Sequence, residues 1–149
     1  MDSLTEFIKF IQGCITPVAM ISGVGLALLT ITNSRGRVVD RIRQLVNEIE
    51  KLGDKEKKLE SKKAQLRIFY KRALLLKSSI MWIIIGVISS SSIIPLIFIM
   101  NWTSLNLSYE GYMLFIIAII SMLNAFIYFL RDVNLSLDAI ELEIKDHIK

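Results

Sequence analysis

Three runs of this chain, Phe10 to Thr32, Ser78 to Met100 and Gly111 to Leu130, contain no Lys, Arg, Asp, Glu or His, and each is twenty residues or longer. As helices rising ~1.5 Å per residue they reach the ~30 Å of a bilayer hydrocarbon core. In hydrocarbon, backbone groups find partners only inside a helix or a closed barrel, and continuous runs of this length favour the helix. The runs therefore predict three transmembrane helices and an all-α membrane protein. Fourteen of the eighteen Lys and Arg residues lie between Ser34 and Lys77, and the short connection from Asn101 to Glu110 has none. Because basic loops stay on the cytoplasmic side, this asymmetry predicts a multi-pass topology with the N-terminus outside and the C-terminus in the cytoplasm.

The expected organisation has six parts. Residues 1–33 form an outer N-terminal segment and the first span, and 34–77 a cytoplasmic helical hairpin with its turn at 53–54. Residues 78–100 are the second span, 101–110 the outer loop, 111–130 the third span and 131–149 a cytoplasmic C-terminal helix. The net charge of +4 arises from the 34–77 block, which alone carries +8. A basic segment tied at both ends to membrane helices is explained by topology and anionic headgroups, so no nucleic-acid partner is expected. Met1 to Lys9 lacks a basic leader, which argues against a cleaved signal peptide. Ser3 and Glu6 have capping-box spacing, predicting a helix from Leu4 that lies at the outer surface before turning inward. Pro17 cannot donate to the Gly13 carbonyl and is expected to kink the first span. The lone Cys14 has no intrachain disulfide partner.

The basic block is itself periodic. Val38, Ile42, Leu45, Ile49 and Leu52 step by 4, 3, 4 and 3, a heptad seam of the coiled-coil kind that ends at Gly53-Asp54, a suitable C-cap and N-cap pair. The returning arm, Lys55 to Lys77, has Leu59, Leu66, Ala73 and Leu74 to Leu76 on its inner face and Lys57, Lys58, Lys62 and Lys63 outward. Val133, Leu137, Ile140, Ile144 and Ile148 repeat the spacing in an amphipathic tail. Its acids Asp132, Asp138, Glu141, Glu143 and Asp146 can lie against the basic hairpin, completing a three-helix bundle.

The run Ser22-Gly23-Val24-Gly25-Leu26, then Leu29-Thr30-Ile31-Thr32-Asn33, then Gly36-Arg37-Val38-Val39-Asp40-Arg41-Ile42-Arg43-Gln44-Leu45, resembles an uncharacterised family of bacterial integral membrane proteins grouped as a domain of unknown function. The shared pattern is SGxGLLLLTxTNRxGRxxDRxREL-like and covers about 25 residues. One departure is that Ser34 stands where the pattern has Arg, with Arg35 one step later. The resemblance implies a three-span protein of the bacterial inner membrane and no established activity.

Two groups of residues are candidates for function. Thr16, Ala19, Gly23, Ala27, Thr30 and Ser34 recur every three or four residues, making one face of the first span small and mildly polar. Such a face either packs closely against another helix or, with Asn33, lines a narrow polar path between several copies. Asn124 in the third span belongs with these, since a buried amide needs a partner such as Ser89, Ser22 or another copy of itself. At the inner rim, Arg35, Arg37, Asp40, Arg41, Arg43, Lys71, Arg72, Lys77 and Asp132 crowd together. They read either as a topology determinant with Asp-Arg pairing or as an anionic-lipid site or electropositive vestibule. Trp102, Tyr109 and Tyr112 read as an outer aromatic belt.

An enzyme is not expected, because one His, one Cys and no glycine-rich phosphate loop provide no nucleophile and base pair. No metal or cofactor is implied. An ion-coupled carrier is disfavoured by the charge-free spans. Two readings remain: a homo-oligomeric channel or pore built on the face of the first span, and a non-conducting scaffold or signalling adaptor whose hairpin binds a cytosolic partner.

Overall fold

The apolar runs do not end their helices where the charges begin, because Arg, Lys, Gln and Glu are themselves good helix formers. In the computed structural model each span continues into charged sequence as one helix: α1 (Asp2–Leu52), α2 (Glu56–Thr103) and α3 (Ser108–His147). The structure describes the backbone of residues 2–52, 56–103 and 106–147, and the side chains of the same residues save 2, 3, 6, 52, 56–57 and 138–147. Among the described residues there is no strand. All three helices are long and apolar enough to cross a membrane.

Several expectations change. The N-terminal segment is not a separate surface helix, since α1 runs unbroken from Asp2 through Pro17. Helix also takes both ends of the 101–110 segment, up to Thr103 and again from Ser108. The turn at Gly53-Asp54 and the tail acids Asp138, Glu141, Glu143 and Asp146 lie outside the described residues or side chains.

Contacts divide the chain into two units. The apolar unit comprises residues 1–29 and 81–125, and the charged unit residues 30–80 and 126–149. Along each helix, burial follows the seven-residue spacing that two turns of ~3.6 residues impose on one face. On α1 the buried positions are Pro17, Val24, Ile31, Val38 and Leu45. On α2 they include Gln65, Ser79 and Gly86, with Leu76, Ile83 and Ser90 beside them, and on α3 Ala118, Ala125 and Asp132 beside Ser121.

The apolar unit is built inside out relative to a water-soluble bundle. Its interior is mostly small: Gly86, Ser89, Ser90, Ala118, Ser121 and Ala125 are buried with Pro17, Val24 and Ile83, while Leu26, Ile88, Phe98 and Leu123 are exposed. Lipid gives no hydrophobic drive for burying Leu, so helices associate through small residues that let backbones approach. Gly86 marks a close approach of α2 to α3: a Cβ there would stand 3.4 Å from the Ala118 carbonyl oxygen and 3.4 Å from the Ser121 Cβ. Serine hydroxyls on the outside close onto their own helix, as Ser22 donates to the Val18 carbonyl at 3.1 Å and Ser92 to that of Ile88 at 2.8 Å. At the loop end, Trp102, Tyr109 and Tyr112 are exposed, and the Trp102 ring lies 5.7 Å from that of Phe98.

In the charged unit Val38 and Leu45 are buried and Ile42 and Ile49 half-buried. The returning arm differs from its expected face. Leu76 is buried but Leu74 is exposed, and Gln65 takes a core position. Lys62 turns inward instead of out, because its ammonium reaches Glu48 of α1 at 2.7 Å.

Candidate functional site

Asp132 falls on the buried line of α3, seven residues after Ala125, so its carboxylate must be matched inside the charged unit. Arg72 lies on the corresponding line of α2, between Gln65 and Ser79, and supplies that match. Its Nε donates to Asp132 Oδ1 at 3.0 Å, with side chains 14% and 4% exposed respectively. The guanidinium also lies 5.5 Å from the Phe69 ring centroid, a cation–π distance. Two of the rim residues singled out in sequence, sixty positions apart, are thus a buried ion pair tying α2 to α3.

The rest of the rim is more open. Arg35, Arg37, Asp40, Arg43 and Lys77 are exposed and Arg41 is half-buried. Of the two Arg-Asp pairs that spacing offers around Asp40, Arg43 makes a loose one at 3.9 Å, while Arg37 instead donates to Ser34 Oγ at 3.1 Å. Arg37 and Arg72 share the wall of a hollow of ≈ 150 Å³ with Ser34, Val38 and Phe69. Two guanidinium groups and a hydroxyl on one small hollow form a surface suited to an anionic oxygen. Lys71 is exposed.

Farther along, Glu48 bridges Lys62 and, at 4.0 Å, Arg41. The Lys62 hydrogen bond holds the Glu48 carboxyl below its ordinary pKa; burial opposes this, and the charges of Lys62 and Arg41 add to it. Sequence reasoning missed this pair and missed Gln65, which is buried and whose Oε1 has no hydrogen-bond partner among the described residues. The available signal was the seven-residue step from Gln65 to Arg72 and on to Ser79.

Apart from Thr16 and Ser34, which border hollows shared with other helices, the second candidate group does not come together with the helices' own core. On α1, Thr16, Ala19, Gly23, Thr30 and Asn33 are exposed and Ala27 and Ser34 half-buried. A Cβ on Gly23 would meet nothing within 4 Å. At ~100° per residue the face lies well around the helix from the buried line of Pro17, Val24 and Ile31. The equivalent small residues of α2 and α3 are absorbed by the chain's own packing. Within the chain, Asn124 Nδ2 donates to the Ile120 carbonyl at 2.9 Å, one turn back on the same helix.

Residues 14–142 match the family described as Protein of unknown function (DUF2721). The chain belongs to that family. The match reaches from the apolar start of α1 past the Asp132 pair, so the family unit includes both candidate groups. Comparison with characterised proteins and with solved structures gives no match. Among the described residues there is no cluster of His, Cys, Asp and Glu able to hold a metal ion.

Proposed function

We propose that the chain is a homo-oligomeric, multi-pass protein of the bacterial inner membrane in which the small face of α1 surrounds a narrow polar, ion-conducting path. The observation that carries this reading is that the face of Thr16, Ala19, Gly23, Thr30 and Asn33 stays exposed while α2 and α3 bury theirs. A strip of small side chains and bare backbone facing hydrocarbon gains from a second copy, because small residues let helix backbones approach closely. Three spans cannot enclose a path alone, so the copies must encircle an axis. The basic rim faces the cytoplasm, binds anionic headgroups there, and as a ring of Arg favours anions at the mouth. The function requires no catalytic group or cofactor.

The test is reconstitution of the purified chain in liposomes, with flux measured alongside the mass of the native particle. The proposal expects a symmetric oligomer and flux that Gly23→Leu or Thr30→Leu alters. A monomeric particle, or both variants unchanged in assembly and flux, would remove it. One observation favours the scaffold instead: Tyr70 and Leu74, one turn apart on α2, are 59% and 45% exposed beside Arg67 and Lys71, a surface suited to an acidic amphipathic segment of a cytosolic protein. A symmetric oligomer that passes no ion would select that reading.

A further inference from the structure

Gly13 and Pro17 lie one turn apart on α1 and border a hollow in the apolar unit, where a Cβ on Gly13 would touch Ile97 Cδ1 at 3.4 Å. A cavity of ≈ 360 Å³ opens there, walled by Met20 of α1, by Ser90, Ile97 and Met100 of α2 and by Phe115 of α3. That size is within the range of small-ligand pockets, about 300–1,000 Å³. The lining is mostly apolar; Ser90 is buried and, among the described residues, donates to the Met20 sulfur at 3.9 Å, a weak acceptor. Void between helices forfeits dispersion contacts that a flexible chain from the membrane can restore. A second hollow of ≈ 390 Å³ shares Ile97 and Met100 with the first and is lined also by Lys9, Phe10 and Asn101. Lys9 is the one basic residue in the sequence of 1–29 and 81–125. Glu110, exposed at the start of α3, lines neither hollow.

We propose that these adjoining hollows bind one anionic lipid, its acyl chain between Gly13 and Phe115 and its charged head at Lys9 and Asn101. The site is separate from the basic rim and needs no second copy of the chain. Trp102, next to Asn101, reports on it. The experiment uses the full chain with Trp82→Phe, in phosphatidylcholine vesicles carrying a minor fraction of phosphatidylglycerol with brominated acyl chains, which quench a nearby indole. The proposal expects Trp102 quenching above that given by the same fraction of brominated phosphatidylcholine, with an apparent preference of about fivefold, the worth of one Lys near an anionic surface. Lys9→Gln should abolish the preference, and Gly13→Leu, which fills the hollow, should lower quenching by either lipid while the helical circular dichroism is unchanged. Brominated oleate that displaces phosphatidylglycerol in a Lys9-dependent way would assign the same tail-and-anion site to a free fatty acid. Equal quenching by the two phospholipids, or a preference unaffected by Lys9→Gln, overturns the proposal. Lys9 is exposed, so that arm decides even if Gly13→Leu does not fold.

Discussion

Breaking the Arg72–Asp132 pair from either side should destabilise the charged unit far more than replacing it whole. At 3.0 Å two unit charges attract by about 5–6 kcal/mol if the effective dielectric is about 20. Desolvation removes several kcal/mol per ion, so the intact pair is close to neutral in net stability. A single substitution leaves the other charge buried. Asp132→Ala should cost about 3 kcal/mol, since Arg72 keeps the Phe69 ring and some access to solvent. Arg72→Met should cost more, about 3–5 kcal/mol, because the stranded carboxylate is only 4% exposed. The double variant Arg72→Met with Asp132→Leu should return to within about 1 kcal/mol of the parent. Unfolding in mixed micelles with rising dodecyl sulfate, followed by circular dichroism, gives the four free energies of the cycle. Those costs imply a coupling of about 5 kcal/mol or more; costs that add to within about 0.5 kcal/mol would refute the assignment of a coupled buried pair.

Further outcomes follow from other contacts. Gly86→Ala should be tolerated, because its Cβ meets neighbours at ordinary contact distance, whereas Gly86→Leu should lose about 1–3 kcal/mol by overpacking, measured in the same micelle titration. Glu48→Gln should cost about 0.2–1 kcal/mol at neutral pH, the range of an exposed pair. A carboxyl with a lowered folded-state pKa stabilises above its ordinary value of 4.5 and loses that contribution as pH falls through the lower folded value, so parent and variant should converge only once the pH is below that folded value. Arg37→Gln should weaken retention of anionic lipid at the rim, read by native mass, and leave the unfolding midpoint unchanged, because its described bond is an exposed one to Ser34.

The helical architecture was legible because membranes make it so: long charge-free runs admit few alternatives. The buried line of Val38, Ile42, Leu45 and Ile49 was legible for a similar reason, since apolar residues among many charges reveal a face. The interior of the apolar unit was harder. When nearly every residue is apolar, hydrophobicity does not distinguish inside from outside, and only Gly86, Ser90, Ala118 and Ser121 mark the packed side. On α1 the same small-residue signal does not mark the side packed within the chain: the conspicuous stripe is exposed and the plain aliphatics Val24 and Ile31 are buried. For the rim, spacing identified the candidates but gave Asp40 as the natural acid. The decisive acid was Asp132, visible only once α2 and α3 are set side by side. The partner Asn124 takes within the chain was not legible from spacing, because a helix can satisfy a side-chain amide from its own carbonyl one turn back.

The most direct test of the proposed assembly is cross-linking through the exposed face of α1. In a Cys14→Ser background, Gly23→Cys in native membranes should form disulfide-linked dimers on mild oxidation, whereas Ile88→Cys, on the 60% exposed outer side of α2, should not. Efficient cross-linking at Gly23 alone is the result expected if this face meets its own copies around an axis. No cross-link at Gly23, or equal cross-linking at both positions, would contradict it.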